Sequence, residues 1–515
     1  MISGRGRPPA LLVFAAGVVA AGTLVPLAYL GARALERGLG FVVDELLQPR
    51  TAALIGRSLA LVAVVTAGCV VLGVALAVLV ARTDVRARRA WAVALTLPLA
   101  MPSYLLAYLW VSAYPSVAGF WGSVLVLTLV SYPLVFLSTM AGLTRVDPAQ
   151  EEVAQSLGLG GGAVLFRVTL RQSRASIAAG GLLVALYVLG DFGAVAAMRF
   201  EAFTWVIYGA YRSGFNPSRA AVLSLVLVVF AVMLVLAEHR ARGAAAASRV
   251  GGGAPRPAPL NRLGPWRVPV LVFPVAVLAA ALVVPGVELA NWLVTAGPRW
   301  DPVEWLDALG STVWLSVMAA AVTTLAALPL GVLAARYRGR VTRTLEGVSY
   351  VAHGLPSIVI AISMVSLGVL LMRPIYQREP LLILAYTVLF VPLAIGSTRA
   401  AIEAVPSRLE EVARSLGRPP LRAFGTVTAR VALPGIAAGA AMVLLTCMKE
   451  LPVTLLLRPT GTDTLATRLW THSAISDYAS AAPYAAALLV FAAVPTAALG
   501  LWSTDSGRLV DDSTG

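Results

Sequence analysis

Two acidic residues stand inside long apolar segments, where ionisable side chains are rare. Asp191 lies in the sequence Leu-Gly-Asp-Phe-Gly, and Glu450 directly follows Lys449, the chain's only lysine. Ionisable groups at membrane depth usually face a polar path or a partner, and carboxylate oxygens suit hard cations. The two acids therefore indicate a polar pathway that favours a cation. The alternative is local pairing, of Asp191 with Arg199 and of Glu450 with Lys449 or Arg458.

A second set of acids belongs to an eight-residue motif that occurs twice. Residues 151–158 read Glu-Glu-Val-Ala-Gln-Ser-Leu-Gly, and residues 410–417 read Glu-Glu-Val-Ala-Arg-Ser-Leu-Gly, an offset of 410 − 151 = 259 positions. Asp191 and Glu450 are related by the same offset, 450 − 191 = 259. The candidate contact residues of the two motifs are Glu151, Glu152, Ala154, Leu157 and Gly158, and Glu410, Glu411, Ala413, Leu416 and Gly417.

Each motif predicts a short amphipathic helix. Val153, Ala154 and Leu157 are spaced to form one apolar stripe, and Gly158 allows the left-handed turn that ends a helix. Acids in the first turn are favoured by the helix dipole. An apolar face on a helix outside the membrane indicates docking on a partner with two matching grooves. The alternative is a helix that lies on the lipid surface.

The composition places these motifs in a membrane protein. Of 515 residues, 59% are hydrophobic and 13% are charged, and the mean hydropathy is +0.83. A soluble domain cannot bury that much apolar surface. The net charge of +15 comes from arginines between apolar runs, which is typical of cytoplasmic loops rather than of a nucleic-acid binder. Two cysteines and three histidines are scattered along the chain, so no metal site is predicted.

Apolar runs of about 20 residues predict membrane-spanning helices, and we expect an all-α integral membrane fold with twelve of them. The predicted spans are 10–32, 52–81, 91–113, 119–142, 176–198, 218–238, 267–289, 311–335, 346–371, 380–401, 435–457 and 481–503. Arginine-rich segments after the second and eighth spans place both termini in the cytoplasm.

The repeat divides the chain into two tandem six-helix units. We predict a first unit over 1–242, a flexible Gly- and Pro-rich cytoplasmic linker over 243–265, a second unit over 266–505 and a polar tail over 506–515. The motifs fall in loops at about 144–175 and 403–434, between the fourth and fifth spans. Pro102 and Pro356 occupy matching positions in the third span of each unit, where proline can bend a helix and line a pathway.

At the repeated motif the chain resembles the permeases of ATP-binding-cassette importers, whose loops read Glu-Ala-Ala, three residues, then Gly. Glu152, Ala154 and Gly158 keep this pattern, as do their counterparts in the second copy, while Val153 stands at the middle Ala. Arg171 stands where the family often has Pro. The resemblance implies type I permease units whose loop helices couple to two ATPase subunits. Further segments, Leu189–Gly193 and Met448–Trp470, resemble fused permeases of ferric-iron importers.

The resemblance also implies the partners. The chain has no Gly-x-x-x-x-Gly-Lys-Ser/Thr loop, so we expect ATP and Mg²⁺ on a separate ATPase and none on this transport subunit. Short extracytoplasmic loops predict a separate solute-binding protein outside the membrane. The chain itself is expected in a bacterial inner membrane. Ferric iron is the expected solute; thiamine, phosphonate and polyamine are alternatives on the same machinery. A more distant alternative is an ion-coupled secondary transporter, also commonly built from two six-helix halves.

Overall fold

The computed structural model describes residues 8–212, 216–247, 261, 263–296, 300–337 and 339–505, and the regular secondary structure of these residues is helical. The one β contact among these residues is an isolated bridge between Thr83 and Asn261. Helices suit apolar segments because each backbone N–H and C=O finds its partner within the same segment.

The first half of the chain forms twelve helices, numbered here in chain order. They are α1 Ala10–Leu35, α2 Gly38–Leu47, α3 Pro49–Arg82, α4 Arg88–Thr96, α5 Ser103–Ala113, α6 Phe120–Leu143, α7 Pro148–Ser156, α8 Gly161–Val164, α9 Leu170–Gly190, α10 Gly193–Ala197, α11 Phe203–Arg212 and α12 Pro217–Ala247.

The second half repeats much of this order. Its helices are α13 Arg267–Leu278, α14 Val284–Ala296, α15 Pro302–Arg336, α16 Arg340–His353, α17 Ser357–Leu370, α18 Glu379–Glu403, α19 Ser407–Ser415, α20 Pro420–Ala423, α21 Ala429–Met448, α22 Pro452–Leu457, α23 Leu465–Ala474 and α24 Tyr478–Asp505. Two π-helical turns, Leu165–Thr169 and Phe424–Thr428, occupy matching positions before α9 and α21.

The expected all-α membrane fold of about twelve spans is confirmed. Within the described ranges, nine helices are long and apolar enough to cross a membrane. One further span is a pair of helices, Arg88–Ala100 and Ser103–Ala113, bent by 87°. Two shorter apolar helices, Ser357–Leu370 and Tyr478–Ala493, fall at the ninth and twelfth predicted spans.

The fifth span of each half differs from its prediction. The apolar runs 176–198 and 435–457 were expected to be continuous helices. Instead, α9 ends at Gly190 and α21 ends at Met448, so Asp191 and Glu450 lie at breaks rather than inside a span. These two spans also begin earlier than predicted, at Gly161 in the first half and at Phe424 in the second.

The helices pack into two compact units, each of which takes segments from both halves of the sequence. One unit, called here the loop I unit, comprises the described parts of Leu46–Val206, Val229–Trp300 and His472–Gly515. The other, the loop II unit, comprises those of Met1–Glu45, Ile207–Val228 and Asp301–Thr471.

These packing units differ from the predicted sequence units 1–242 and 266–505. Within the loop II unit, α1 packs against α15, α16 and α17. Within the loop I unit, α14 packs against α5, and α24 packs against α4. The first span of each sequence unit therefore buries its apolar side against helices of the other sequence unit.

The predicted linker lies mostly outside the described residues, as does the tail over 506–515. At the beginning of the linker, α12 continues to Ala247. At its end, Asn261 pairs with the backbone after α3, so this end has a defined position.

Candidate functional site

The first repeated motif lies in a segment that we call loop I, residues 147–169, and it folds as predicted into a short helix. The Asp147 carboxylate caps α7 by accepting from the backbone N–H of Ala149 at 3.0 Å. Gly158 follows the helix with φ of +87°, a conformation that favours glycine. The N–H of Leu159 then donates to the carbonyl of Ala154 at 3.1 Å, which closes the helix end.

Glu151, the first acid of loop I, points inward and anchors the loop. Its carboxylate is 3.2 Å from Arg82 Nη1 at the end of α3, and both side chains are about 95% buried, at 5% and 4% exposure. The hydroxyl of Thr169, in the π-helical turn, donates to the same carboxylate at 2.6 Å. Arg82 also donates to the carbonyl of Leu143 at 3.1 Å. A buried ion pair with these extra hydrogen bonds fixes the loop on the ends of three helices.

The second motif lies in loop II, residues 406–428, and repeats the anchor. Arg336 Nη2 lies 2.9 Å from Glu410 Oε1, and the hydroxyl of Thr428 donates to the same oxygen. This pair is more exposed than its counterpart, at 19% for Arg336 and 24% for Glu410. Gly417 has φ of +84°, and Arg418 N–H donates to the Ala413 carbonyl at 3.1 Å. The two loops therefore share one construction.

The outward side of each loop helix carries an apolar pair beside an acid. In loop I, Val153 is 58% and Leu157 is 78% exposed, and Glu152 is exposed as well. In loop II, Val412 is 57% and Leu416 is 79% exposed, beside Glu411.

The predicted stripe is wrong in one member of each loop. Ala154 and Ala413 are 7% exposed and lie on the inner side of their helices. Their small side chains let the helix approach its own unit, which leaves Val and Leu as the outward apolar residues.

Loop I has two features that loop II lacks among the described residues. Phe166 is 72% exposed, whereas the position 259 residues later is Gly425. The end of the linker also forms a clasp, which we define as Asp84, Asn261, Leu263 and Arg267. Asn261 N–H donates to the Arg82 carbonyl at 2.9 Å, and Asp84 N–H donates to the Asn261 carbonyl at 3.2 Å.

The Asp84 carboxylate completes the clasp. It accepts from the backbone N–H of Leu263 at 2.9 Å and from Arg267 at 2.7 Å. These two contacts hold the pKa of Asp84 below its ordinary range, the Leu263 hydrogen bond having the larger effect. Asn261 borders a small cavity that Arg82, Glu151 and Thr169 also line. The clasp therefore covers the loop I anchor.

The predicted kinks at the two prolines are breaks between helices. Pro102 separates Arg88–Ala100 from Ser103–Ala113, and Pro356 separates α16 from α17. In both places the proline precedes the first residue of the next helix, Ser103 or Ser357, a position that needs no backbone N–H donor.

Asp191 joins the break at Pro102 to the break after α9. Its Oδ1 accepts from the N–H of Ala194 at 2.8 Å, and its Oδ2 accepts from the hydroxyl of Ser103. Thr204 donates from its hydroxyl to the Asp191 carbonyl at 2.6 Å. The side chain is 9% exposed.

Glu450 occupies the matching place in the loop II unit. Its Oε1 accepts from the N–H of Val453 at 3.4 Å, and Ser357 lies beside the carboxylate. Thr454 donates to the Glu450 carbonyl at 2.7 Å. Glu450 is 8% exposed.

The sequence alternatives for these acids named the wrong partners. Neither Asp191 nor Glu450 forms an ion pair with a residue that the structure describes; Arg458 instead pairs with Asp463. The serines and backbone amides that do contact the acids were missed, although Ser103 and Ser357 recur at one offset, 357 − 103 = 254. Arg82, Arg336, Thr169 and Thr428 were also missed as anchors, and the same repeat relates them.

Broken spans, paired anchored loops and a twofold sequence repeat define a transport permease of the membrane. The chain belongs to the family described as binding-protein-dependent transport system inner membrane component, which matches it twice, over residues 69–239 and 327–505. The predicted permease identity and the internal repeat are confirmed. The family makes the chain a multi-pass transport subunit.

Several characterised permeases are similar to the chain. It is 34% identical over 494 residues to the Fe(3+)-transport system permease protein FbpB 2 of Haemophilus influenzae, covering 95% of this chain and 97% of the relative. It is 32% identical over 142 residues to the molybdate/tungstate transport system permease protein WtpB of Pyrococcus abyssi, covering 28% of this chain and 56% of that protein. A molybdenum transport system permease protein, ModB of Mycobacterium tuberculosis, is 31% identical over 187 residues, covering 33% and 71%.

Proposed function

We propose that the chain is the membrane subunit of an ATP-binding-cassette importer that carries ferric iron by alternating access. The observation that supports this most directly is the pair of loops. Each presents an exposed Val, Leu and Glu on a helix that a buried or half-buried Arg–Glu–Thr anchor ties to a long membrane helix.

The exposed pairs suit two matching grooves on an ATPase dimer. Burying a Val or Leu side chain contributes about 1.5–3 kcal/mol, so Val153 with Leu157, and Val412 with Leu416, give each loop a compact apolar contact. Glu152 and Glu411 add a charged rim. Because Glu151 and Glu410 face inward, we propose that they transmit force from the ATPase to α3 and α15 rather than touch the partner.

The ATPase would bind ATP and Mg²⁺, and this chain would bind no cofactor. A binding protein would deliver the solute on the opposite side of a bacterial cytoplasmic membrane, with both termini of the chain in the cytoplasm. We propose that the breaks at Pro102 with Asp191, and at Pro356 with Glu450, lie beside the translocation pathway of their respective units.

Similarity over nearly the full length of an Fe(3+)-transport permease supports ferric iron as the solute. Similarity to permeases for molybdate and tungstate covers about a quarter of the chain. Uptake of radioactive ferric iron should therefore saturate and resist competition by thiamine, a phosphonate or a polyamine. Uptake of one of those solutes instead would overturn iron and leave the ATP-driven importer intact.

Coupling is tested at the glycine that ends each loop helix. Gly158→Val and Gly417→Val place a β-branched residue at φ of +87° and +84°, a backbone conformation that costs such residues about 1–3 kcal/mol. Both variants should insert normally but lose uptake and solute-stimulated ATP hydrolysis. Gly160→Ala is the matched control, since Gly160 has φ of −65° and an added Cβ meets nothing within 4 Å.

Two results would contradict the proposal. If both valine variants transport normally, the loops do not dock. If the chain purifies without an ATPase and transports when a proton or sodium gradient is imposed, it is a secondary transporter.

A further inference from the structure

In each unit a buried carboxylate lies where two broken helices meet, and its contacts are those of a structural cap. The loop I unit contains two broken helices. One consists of Arg88–Ala100 followed by Ser103–Ala113, and the other consists of α9 followed by α10. Asp191 reaches both breaks, through Ala194 N–H at 2.8 Å and through Ser103 Oγ.

Close packing at the same place shows that the two breaks belong together. A Cβ added at Gly193 would lie 2.5 Å from the Cβ of Tyr104, one residue after Ser103. The backbone of α10 therefore sits directly on α5, and only glycine permits this approach. The Asp191 carboxylate lies at the N-terminal ends of both helices, where a negative charge is favoured.

The loop II unit reproduces the cap on the following helix with a longer acid, but not the hydrogen bond to the serine of the other break. Glu450 accepts from Val453 N–H, three residues on, as Asp191 accepts from Ala194 N–H. Ser357 begins α17 as Ser103 begins α5, but Oε2 of Glu450 is buried without a hydrogen-bond partner among the described residues, whereas Oδ2 of Asp191 accepts from Ser103. Thr454 adds a second link, since its hydroxyl hydrogen-bonds both the Glu450 carbonyl and the Tyr386 hydroxyl.

We infer that Asp191 is a positioning residue that locks the break in the third span to the break in the fifth span of the loop I unit, not a ligand for a passing cation. Glu450, whose Oε2 is buried without a hydrogen-bond partner among the described residues, is its matched comparison in the loop II unit. Both oxygens of Asp191 already accept hydrogen bonds. A carboxylate with these contacts holds the two half-helices in register while the unit moves. This inference rests on the proposed function only in that transport is one of its readouts.

The two roles respond differently to removal of the charge. Asn at position 191 keeps an oxygen for Ala194 N–H and can donate its amide to Ser103 Oγ, because Asn caps helices about as well as Asp. Gln at 450 keeps the acceptor for Val453 in the same way. Ala at either position removes the cap. A cation ligand, in contrast, loses its function in the amide and in the alanine alike.

The test compares Asp191→Asn with Asp191→Ala, and Glu450→Gln with Glu450→Ala, in the full chain. Two readouts are needed: the melting temperature of the purified chain in detergent, and the Vmax and KM of uptake in proteoliposomes that contain the ATPase and the loaded binding protein. Asp307→Ala, at an exposed acid on α15, is the control and should change neither.

We expect Asp191→Ala to melt earlier, since one lost cap costs about 1 kcal/mol of stability, and to lower Vmax several-fold with KM unchanged, because the two half-helices are no longer held in register. Asp191→Asn should melt close to the wild type and keep Vmax to within about twofold of it, since the amide restores the hydrogen bonds. The inference is overturned if amide and alanine lose uptake equally at an unchanged melting temperature, which marks a charged ligand. It is also overturned if alanine changes nothing. If the wild type transports no iron, the proposal that ferric iron is the solute is wrong. The melting temperatures of the amide and alanine variants still test the positioning role of Asp191.

Discussion

Loops I and II carry nearly the same residues at the same spacing, yet the structure anchors them to different degrees. The Arg82–Glu151 pair is about 95% buried, whereas Arg336 and Glu410 are 19% and 24% exposed. Asn261, which lies in the predicted linker, borders the same cavity as the Arg82–Glu151 pair. A residue outside the repeat therefore forms part of the surroundings of the loop I anchor.

The outward faces differ in a parallel way. Phe166 adds an exposed aromatic ring to loop I, and glycine stands at the matching position of loop II. Loop II lacks the ring but exposes Leu409, at 44%, where loop I has Gln150. The two loops therefore differ in which apolar residues they present, and loop I has the more deeply buried base. If ATP binding moves both loops, loop I is expected to transmit the larger share of the force.

Removing the arginine of each anchor should separate the loops most strongly. Arg82→Ala leaves Glu151 buried without its ion partner, which costs about 3–5 kcal/mol. Arg336→Ala leaves a half-exposed Glu410 that water can solvate, so about 1–2 kcal/mol is expected. Thermal or denaturant unfolding of the purified chain measures both. Arg57→Ala, at the exposed pair with Glu201, should cost less than about 1 kcal/mol. Equal losses at Arg82 and Arg336 would show that burial does not distinguish the anchors.

Truncating the outward ring tests the second difference. Phe166→Ala should weaken ATPase binding by roughly tenfold, the scale of a moderate aromatic contact at an interface, and Gly425→Ala should leave it unchanged. Titration of the purified ATPase onto the detergent-solubilised chain gives the affinity. Trp121→Ala is the matched control, because Trp121 is 73% exposed at the start of the membrane helix α6, at the opposite end from Leu143, which contacts the loop I anchor. Unchanged binding in Phe166→Ala would place the ring outside the interface.

The sequence predicted what the repeat and hydropathy encode. The offset of 259 identified both loops, their terminal glycines and the paired acids, and apolar runs located the spans. The break at Asp191 was missed because hydropathy alone treats 176–198 as one run, although Gly190, Asp191 and Gly193 stand within it. The Asp191 carboxylate caps the next helix at Ala194 N–H, and its contact with Ser103 is a tertiary one that the sequence pattern does not give. The burial of Ala154 and the packing of α1 on α15 were missed for the same reason. Amphipathic spacing predicts which residues share one side of a helix, but not which of those residues the rest of the fold will bury.

Opening the clasp should have a smaller effect, confined to loop I. Asp84→Ala removes the acceptor for Leu263 N–H and Arg267. Amide hydrogen exchange should therefore rise at residue 84 and at Asn261, whose N–H groups make the backbone hydrogen bonds of the clasp, and across α7 but not across α19. Asp84→Asn keeps the Leu263 contact and should be intermediate. Because the pKa of Asp84 is lowered, its contribution is present at neutral pH and is lost only as the pH falls through that lowered value. Exchange should then show no clasp-dependent change between about pH 5 and 8. Faster exchange in α19 as well would mean that the clasp stabilises more than loop I.

The smallest difference between the loops is the helix cap, and it can be exchanged. Asp147 caps α7 through Ala149 N–H, whereas α19 begins after Pro406, which offers no side-chain acceptor. Asp147→Ala should cost about 1 kcal/mol, and Pro406→Asp should recover a few tenths, because the new cap is partly offset by the freedom that the unfolded chain gains without proline. Unfolding of the single and double variants gives both values, which should add, because the two caps have no hydrogen-bond partner in common. If Pro406→Asp also increases ATP hydrolysis driven by loaded binding protein, a looser loop II limits coupling. If hydrolysis stays constant while stability rises, the cap acts on stability alone, and the difference in coupling between the loops rests on their anchors and on Phe166.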